Sequence, residues 1–397
     1  MRLVIGHPRI GSGGSESTLM WLIEALKRDF EVTVITTGGW DLGRLNNYYG
    51  TQVRANEVKV RIAPVPFPMR RLNAAALRSA CYQRYARQIA AEFDVRVSAY
   101  NMTDWGLPAV HFIADFSWNS DIRDRLHPPS PGFIYRQSLL RRAYLKMASV
   151  YFRPSGRNVL HEDLIIANSR WSAALLKRDC DVDCAAVIYP PVSAEFPHVP
   201  WEEKESSFAM IGRIAPEKQI ERAITILEAV RQRGHDVRIR LCGHIGNDLY
   251  GRRIAKLSHQ HKGWITTEGL VTGENKAQIL ARCRLGIQTC GAEAFGISVA
   301  EMAKAGAIVF ASNDGGQTEI LGSADLLFTG IDDAVNKICV VLESTEKQAA
   351  LCAHLAQRTK MFGAEKFIEA SIAVIASSLT HESRDNKAEI DLLGSLI

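Results

Sequence analysis

The sequence has no apolar run close to the ~18 to 20 residues that a membrane-spanning helix needs. Its amino terminus offers only Leu3–Ile5, which is too short for a secretory signal and which we interpret as a first strand. The eight cysteines include no C-x-x-C pair, and Cys180 with Cys184 lacks the second pair of ligands that a metal site would need. Most of the cysteines stand among apolar neighbours, which favours buried thiols in a reducing cytoplasm.

A dinucleotide-binding fingerprint is also absent. The glycine-rich turn Gly11-Ser12-Gly13-Gly14 follows the first strand and opens a helix, but its spacing is not G-x-G-x-x-G. The next strand ends in Thr36-Thr37-Gly38-Gly39, without the acidic residue that binds an NAD ribose. Glycines let a ligand approach the backbone, and a helix N-terminus favours negative charge. The turn therefore favours an anionic ligand other than NAD.

The pattern that is present is an alternation of strands and helices. The 397 residues are too many for one ordinary core. Short apolar runs such as Glu31–Thr36 and Leu164–Ala167 alternate with helical patterns, which indicates parallel βαβ units. Prolines and charges near residues 189–205 mark a linker, after which the alternation restarts. We predict an α/β fold of two tandem, Rossmann-like, doubly wound domains that face each other across a ligand-binding cleft.

The linker and the last helical pattern set the predicted domain boundaries. We expect an N-terminal acceptor domain over residues 1–192 and a C-terminal donor domain over residues 193–363. An amphipathic helix over residues 364–380 follows, and we expect it to pack back on the N-terminal domain. Residues 381–397 are mostly polar and are expected to form a mobile tail.

The net charge of +5 is concentrated in two stretches that interleave cations with apolar residues. Amphipathic helices of this kind sit on an anionic membrane or steer an anionic substrate, but an ordinary helix with a solvated polar face has the same pattern. No recognition motif accompanies the cations, so we expect no nucleic-acid partner. The cations are Arg70, Arg71, Arg78, Arg84 and Arg87 in the first stretch, and Arg136, Arg141, Arg142, Lys146 and Arg153 in the second.

Two constellations in the second half suit a nucleotide diphosphate. Gly212-Arg213 ends a strand, and Lys218 follows a proline-containing turn; a guanidinium fork and an ammonium group together suit a diphosphate. Glu293 lies in a loop, and Glu301 lies early in the helix that follows. Carboxylates accept hydrogen bonds from sugar and ribose hydroxyls, and the helix start can meet a phosphate. Solvated surface cations and a helix-cap carboxylate are the alternatives.

Taken together, these motifs resemble the retaining glycosyltransferases of family 4, which have the GT-B fold, and the resemblance covers nearly the whole chain. Its most specific part is the E-x7-E element formed by Glu293 and Glu301. Gln317-Thr318 departs from the family, since many relatives have a proline there, and we expect a less constrained backbone. The residues that carry the resemblance are Gly13-Gly14-Ser15-Glu16, Asn168-Ser169, Gly212-Arg213, Lys218, Glu293, Phe295-Gly296, Glu301, Gly315-Gly316 and Glu319.

The resemblance implies a role for each of these positions. Arg213 and Lys218 would hold the donor diphosphate, Glu301 would bind the ribose, and Glu293 would bind the donor sugar. His111 matches the position of a sugar-contacting histidine in relatives, although a hydrogen-bonded core histidine is the alternative. The expected catalytic residues are thus His111, Arg213, Lys218 and Glu293, and the expected donor-binding residues are Gly13, Gly14, Arg213, Lys218, Phe295, Gly296, Ile297 and Glu301.

The resemblance also implies that the cations replace a metal, so we expect neither a metal nor a cofactor. No D-x-D motif is suited to a metal diphosphate, since Asp332-Asp333 lies in a late turn. We expect transfer of a mannose- or glucose-type hexose from a GDP- or UDP-linked donor to a glycan or lipid-linked acceptor, with a front-face reaction that retains configuration. The basic stretches suggest a peripheral place at the inner membrane face, in polysaccharide or glycolipid synthesis. The alternatives are an epimerase and a non-catalytic protein that binds a nucleotide-sugar.

Overall fold

The computed structural model describes residues 1–11, 13–66, 75–126, 139–152 and 154–379. Contacts between Cα atoms divide the chain into two compact units. The first comprises Met1–Pro191 and Ala364–Ile397, and the second comprises Val192–Gly363. The tail expected over residues 381–397 lies outside the described residues, and so do Arg70, Arg71, Arg136 and Arg153 of the basic stretches.

The first unit is built on a parallel sheet in the order β3-β2-β1-β4-β5-β6-β7. Every described pairing in it is parallel, so the carboxyl ends of its strands share one edge. The strand order reverses between β1 and β4, which creates a doubly wound sheet with a switch point there. The strands are β1 (Arg2–Gly6), β2 (Glu31–Thr36), β3 (Val58–Ile62), β4 (Val95–Ser98), β5 (Val110–Ile113), β6 (Leu164–Ala167) and β7 (Ala186–Val187).

The second unit repeats this arrangement with the strand order β10-β9-β8-β11-β12-β13, again with parallel pairing throughout. Its switch point lies between β8 and β11. The strands are β8 (Glu205–Ile211), β9 (Arg238–Cys242), β10 (Ile265–Gly269), β11 (Cys283–Gln288), β12 (Ile308–Ser312) and β13 (Leu327–Phe328). Two parallel sheets with flanking helices confirm the predicted α/β class.

Helices connect the strands in both units. The described helices of the first unit are α1 (Gly14–Leu26), α2 (Leu42–Tyr49), α3 (Ala75–Ile89), α4 (Ser120–Leu126), α5 (Leu139–Phe152), α6 (Val159–Glu162), α7 (Arg170–Cys180) and, at the end of the chain, α15 (Ala364–Leu379). Those of the second unit are α8 (Ile220–Gln232), α9 (Leu249–Gln260), α10 (Gly273–Arg282), α11 (Ile297–Lys304), α12 (Gln317–Leu321), α13 (Ile331–Leu342) and α14 (Thr345–Thr359). None of these helices combines the length and the apolar character needed to cross a bilayer.

Local sequence explains several helix ends. Ser169 caps α7, because its side chain accepts a hydrogen bond from the backbone N–H of Ser172 at 3.0 Å. Asp41 caps α2 in the same way through the N–H of Arg44, at 3.0 Å. Gly50 ends that helix with a left-handed backbone (φ +72°), a conformation that glycine adopts without strain. The helix start predicted at Asn168-Ser169 is therefore confirmed.

The last helix belongs to the first unit although it follows the second in sequence. Helix α15 packs against α1 and β4. Its Phe367 is buried, and the ring lies 6.2 Å from that of Phe112 on β5. Val374 and Ile375 are buried in the same core. The apolar face of the helix thus completes the core on one side of the first sheet.

Candidate functional site

The glycine-rich turn of the first unit lies between β1 and α1, at the carboxyl edge of the sheet. The buried Glu16 carboxylate accepts a hydrogen bond from the N–H of Gly11 at 2.7 Å and another from the hydroxyl of Ser15 at 3.0 Å. A Cβ atom on Gly13 would lie 3.0 Å from Oε2 of Glu16, so only a glycine fits there without displacing the carboxylate. Glu16 therefore shapes the turn from inside.

Tyr49 fixes the same turn from the other side. Its hydroxyl accepts a hydrogen bond from the N–H of Gly13 at 2.9 Å and donates one to the carbonyl of Gly13 at 2.8 Å. The amide of Gly13 is therefore already engaged. The amides of Gly14 and of the residues after it open helix α1, and a helix N-terminus favours negative charge.

His7 follows β1 and lies beneath the turn. It is almost completely buried, and neither ring nitrogen has a side-chain hydrogen-bond partner among the described residues; a weak contact with the backbone of Arg9 raises its pKa only a little. Its ring centroid is 5.5 Å from that of Tyr100. Burial lowers the pKa of His7, and the charge of Glu16 offsets only part of this shift. His7 is therefore neutral at physiological pH.

His111 is not placed where the sequence resemblance expects a sugar-contacting side chain. It is the second residue of β5, and it is completely buried within the unit. Its Nε2 lies 3.0 Å from a carboxylate oxygen of Asp163, and its Nδ1 is 3.4 Å from the N–H of Thr103. Both ring nitrogens are thus used inside the protein. The geometry corresponds to the alternative, a hydrogen-bonded core histidine, and we correct the catalytic expectation accordingly.

The carboxyl end of β5 instead presents Asp115. This half-buried carboxylate accepts hydrogen bonds from the amide of Asn101 at 2.8 Å and from the hydroxyl of Ser117 at 2.6 Å. The hydroxyl of Tyr100, which follows β4, lies 3.3 Å from its second oxygen. Burial and the charge of Asp115 raise the pKa of Tyr100 to about 12. Sequence analysis missed this cluster because its members come from two strand ends.

In the second unit, Lys218 lies at the carboxyl edge beside the switch point. A short 3-10 turn, Pro216–Lys218, carries it after β8. The hydroxyl of Thr289 lies 2.9 Å from the carbonyl oxygens of both Lys218 and Gln219, and the latter has a left-handed backbone (φ +50°). These contacts hold the turn against β11. Gly212 also has a positive φ (+148°), and a Cβ there would meet the Lys218 side chain at 3.5 Å.

Lys218 forms an ion pair with Glu293, so the structure brings together two residues that the sequence places 75 positions apart. Burial by itself lowers the pKa of Lys218, but the charge of Glu293 and the hydrogen bond to it outweigh that effect, and the pKa lies above its ordinary value. The lysine therefore keeps its positive charge at neutral pH. Arg213, by contrast, is 82% exposed and pairs with Glu217 at 3.0 Å. Its guanidinium reaches into solvent.

Glu301 is also paired with a lysine. It lies on α11, and its Oε1 is 2.6 Å from Nζ of Lys276 on α10. The two side chains are only 14% and 9% exposed. Sequence analysis missed Lys276 because no motif marks it; it reaches Glu301 only through the packing of two helices.

The loop between β11 and α11 is held by the glycines that follow β12. Gly316 donates its N–H to the carbonyl of Glu293 at 2.8 Å. A Cβ on Gly315 (φ +83°) would lie 2.5 Å from that carbonyl oxygen, so only glycine allows this approach. Phe295 anchors the loop, since its buried ring packs at 5.5 Å against that of Phe362. Gly296 (φ +106°) then starts helix α11 at Ile297.

Gln317 constrains the turn in which many relatives carry a proline. Its side chain is completely buried. Its amide nitrogen lies 2.8 to 3.0 Å from the carbonyl oxygens of Cys290, Ser312 and Asp314. The expectation of a looser backbone is therefore wrong, because a side-chain amide replaces the rigid ring. Glu319 follows in the first turn of α12.

Among the described residues, no group of three or more His, Cys, Asp or Glu side chains is arranged to hold a metal ion. Asp181 and Asp183 form a D-x-D sequence, but both carboxylates pair with Lys177, at 2.9 and 3.1 Å. They precede β7 and so lie at the amino edge of the first sheet, away from the turn at Gly13.

Comparison with known proteins agrees with this geometry. Residues 192–358, almost all of the second unit, match the family model described as "Glycosyl transferases group 1". The mouse enzyme GDP-Man:Man(3)GlcNAc(2)-PP-Dol alpha-1,2-mannosyltransferase is 26% identical over 201 residues. That match covers 47% of this chain and 41% of the mouse enzyme, so the chain spans less than half the length of this relative.

Solved structures of glycosyltransferases cover nearly the whole chain. Anabaena HepE in complex with UDP-glucose superposes with a TM-score of 0.67 at 15% identity, over 95% of this chain and 100% of that one. WaaG, a glycosyltransferase involved in lipopolysaccharide biosynthesis, gives 0.67 at 15% identity, over 94% and 99%. Sucrose-phosphate synthase from Thermosynechococcus elongatus gives 0.69 at 14% identity, over 95% and 98%. The chain therefore has the GT-B fold, as predicted, and its second unit is similar to the group 1 glycosyl transferases.

Proposed function

We propose that this protein is a retaining glycosyltransferase of the family 4 type. It moves a mannose- or glucose-type hexose from a nucleotide diphosphate sugar to a glycan or lipid-linked acceptor, and it needs neither a metal nor a cofactor. The observation that carries the proposal is the pair of lysine–glutamate contacts at one sheet edge, Lys218 with Glu293 and Lys276 with Glu301. Parallel sheets of this kind bind nucleotides at that edge.

Each member of this edge has a chemical task in the proposal. Lys218, which stays positively charged beside Glu293, binds the donor diphosphate. The exposed guanidinium of Arg213 moves to bind the same diphosphate. Glu293 accepts hydrogen bonds from hydroxyls of the donor sugar, and Glu301 accepts them from the ribose. Backbone amides at the start of α11, from Gly296 and Ile297 onward, stabilise the negative charge that develops on the diphosphate.

The reaction follows from charge development. The bond between the anomeric carbon and the diphosphate oxygen breaks, which leaves an oxocarbenium-like sugar and a more negative diphosphate. Lys218 and Arg213 stabilise that diphosphate, an effect worth ~3 kcal/mol for a well-placed group. The acceptor hydroxyl attacks the anomeric carbon from the face that the diphosphate leaves, and its proton passes to a phosphate oxygen. Configuration at the anomeric carbon is therefore retained.

The substrate class rests on the similar proteins. The mouse relative is named as an enzyme that uses GDP-mannose and a dolichol-linked glycan, and HepE binds UDP-glucose. We therefore propose a GDP- or UDP-hexose donor and a lipid-linked glycan acceptor. The first unit would take the acceptor, near Gly14, Tyr100 and Asp115 at its carboxyl edge.

A lipid-linked acceptor fits the surface of helix α5. Leu145, Met147 and Val150 are 45%, 53% and 66% exposed, and Lys146 stands among them. Arg84 and Arg87 of α3 are less available than the sequence suggests, because they stack on Tyr151 and Phe152. An apolar face with a cationic flank suits the interface of an anionic membrane. We propose that α5 holds the protein at the inner face of a membrane, on the cytoplasmic side.

Nucleotide binding tests the proposed function. We expect UDP-, GDP- or ADP-sugars, screened in EDTA, to raise the unfolding temperature for one nucleotide class, by the equivalent of about 2.7 kcal/mol at a hundredfold excess over Kd. Arg213→Ala and Glu301→Ala should abolish the rise, whereas Arg282→Ala and Glu346→Ala, at exposed sites elsewhere in the unit, should keep it.

The product then tests the chemistry. With the donor identified, NMR of the glycoside formed on a lipid-linked acceptor should show the anomeric configuration of the donor. An inverted product would rule out the front-face reaction. If no nucleotide-sugar binds the wild-type protein, the transferase assignment is wrong.

A further inference from the structure

The ion pair between Lys276 and Glu301 joins helices α10 and α11 at the proposed ribose site. Lys276 is the fourth residue of α10, and Glu301 is the fifth residue of α11. Their side chains are 9% and 14% exposed, and the two charged atoms are 2.6 Å apart. Each charge is thus largely removed from water, and each lies next to a charge of opposite sign.

Such a pair is a poor means of stabilising a fold. Desolvation of two charges cancels most of their attraction, so well-packed apolar residues would stabilise the same helix contact at least as well. The pair instead fixes the orientation of the Glu301 carboxylate. A carboxylate with one oxygen held by an ammonium group has a defined plane, and its remaining lone pairs point to fixed places.

The helices that carry the pair are tied together at their other ends. Nζ of the buried Lys204 donates hydrogen bonds to the carbonyl of Ala281, at the end of α10, and to that of Ala305, just after α11, the latter at 2.9 Å. Lys204 therefore holds the two helix ends next to each other. Helices α10 and α11, which carry Lys276 and Glu301, therefore cannot easily slide past each other.

We infer that Lys276 is a positioning residue for nucleotide recognition: it orients the Glu301 carboxylate so that its free lone pairs accept hydrogen bonds from both vicinal hydroxyls of a ribose. This inference rests on the proposed function and deepens it. Within the nucleoside part of the donor, the ribose diol is the group that offers two adjacent O–H donors to a single carboxylate. The protein should thus bind ribonucleotides more tightly than their 2′,3′-dideoxy forms, and this difference in affinity should depend on Lys276.

The test measures dissociation constants by calorimetry for the ribonucleoside diphosphate that the wild-type protein binds and for its 2′,3′-dideoxy form. Lys276→Met should weaken binding of the ribonucleotide about tenfold, the value of one charge-assisted contact, and leave the dideoxy form almost unchanged. Lys276→Arg, which keeps the cation, should restore most of the difference. Lys337→Met is the matched control, because Lys337 pairs with Asp333 at 3.2 Å in the same unit.

A second measurement separates positioning from folding. Lys276→Met combined with Glu301→Gln should bind the ribonucleotide no more weakly than Glu301→Gln alone, since both changes remove one contact. Equal weakening of the ribose and dideoxy forms by Lys276→Met, or no weakening of either, would overturn the inference while nucleotide binding itself stands. Failure of the wild-type protein to bind any nucleotide would overturn the proposed function, and the inference with it.

Discussion

At the scale of single residues, contacts across the sheet edge decide which charged side chains can act. Lys218 and Glu301 are each held by a partner that is distant in sequence, Glu293 and Lys276. The motifs predicted that His111 contacts a sugar, but its ring instead hydrogen-bonds to the carboxylate of Asp163. A motif gives the residue type and its approximate strand, but it does not tell whether a side chain lies inside a strand or beyond its end. That distinction separates His111 from Asp115.

The pH dependence of stability provides a residue-scale prediction about His7. Burial lowers its pKa in the folded protein, so below the ordinary pKa near 6.5 the unfolded chain binds a proton that the folded chain resists. Stability is fully present above that pH and falls as the pH drops, by up to ~1.4 kcal/mol per pH unit. We expect His7→Gln to flatten this slope between pH 6.5 and 5. Urea unfolding at several pH values measures it.

The exposed His259 is the control for that experiment. Its side chain lies on the outer part of α9, so His259→Gln should leave the slope unchanged. If wild-type protein and His7→Gln show the same slope, the imidazole has a proton acceptor in the folded state and our account of it is wrong.

At the scale of elements, the helices carry the site and set its surface. Helix α11 begins at Ile297, directly after Gly296, and α10 reaches the same edge. Helix α5 differs, because its exposed side carries the apolar Leu145, Met147 and Val150 beside its polar residues. Periodicity alone could not reveal this, since the partly buried Tyr144 and the buried Ala148 pack against α3 while the apolar residues beside them remain exposed.

Vesicle binding tests the role of α5. Met147→Gln combined with Val150→Gln should weaken binding to vesicles that contain phosphatidylglycerol at least tenfold, because two apolar side chains lose favourable burial. Ala143→Gln combined with Ser149→Gln adds the same groups at exposed positions of the same helix and should change little. Cosedimentation measures both.

Phosphatidylcholine vesicles complete the comparison. The wild-type protein should bind them more weakly than the anionic vesicles, and added salt should reduce the difference. If the two double variants bind the vesicles equally well, this face of α5 does not bind the membrane.

At the scale of the whole molecule, the chain crosses from one unit to the other twice. Sequence alternation indicates two α/β domains and a linker near residue 192, and the second unit runs from Val192 to Gly363. The first unit is discontinuous, because α15 returns to it. Removal of residues 364–397 should thus destabilise the first unit although its main segment is intact.

We expect that truncation to cost roughly 5 kcal/mol, since the buried Phe367, Val374 and Ile375 are lost and their neighbours on α1 become exposed. A chain that ends at residue 379 keeps α15 and should retain the wild-type stability of that unit. Denaturant unfolding followed by far-ultraviolet circular dichroism compares the two. Equal stability would show that α15 contributes little to the core.

The sequence by itself determined the fold class, most strand positions and the presence of the E-x7-E motif, because these depend on local periodicity and on residues close together in the chain. Glu31–Thr36, Leu164–Ala167 and the start of α11 are examples. The tertiary structure alone decided that His111 is a core residue, that the Gly13 amide donates a hydrogen bond to Tyr49, and that Lys276 forms an ion pair with Glu301. These outcomes depend on which side chains parallel strands and packed helices bring within hydrogen-bond distance, and sequence separation carries no information about that distance.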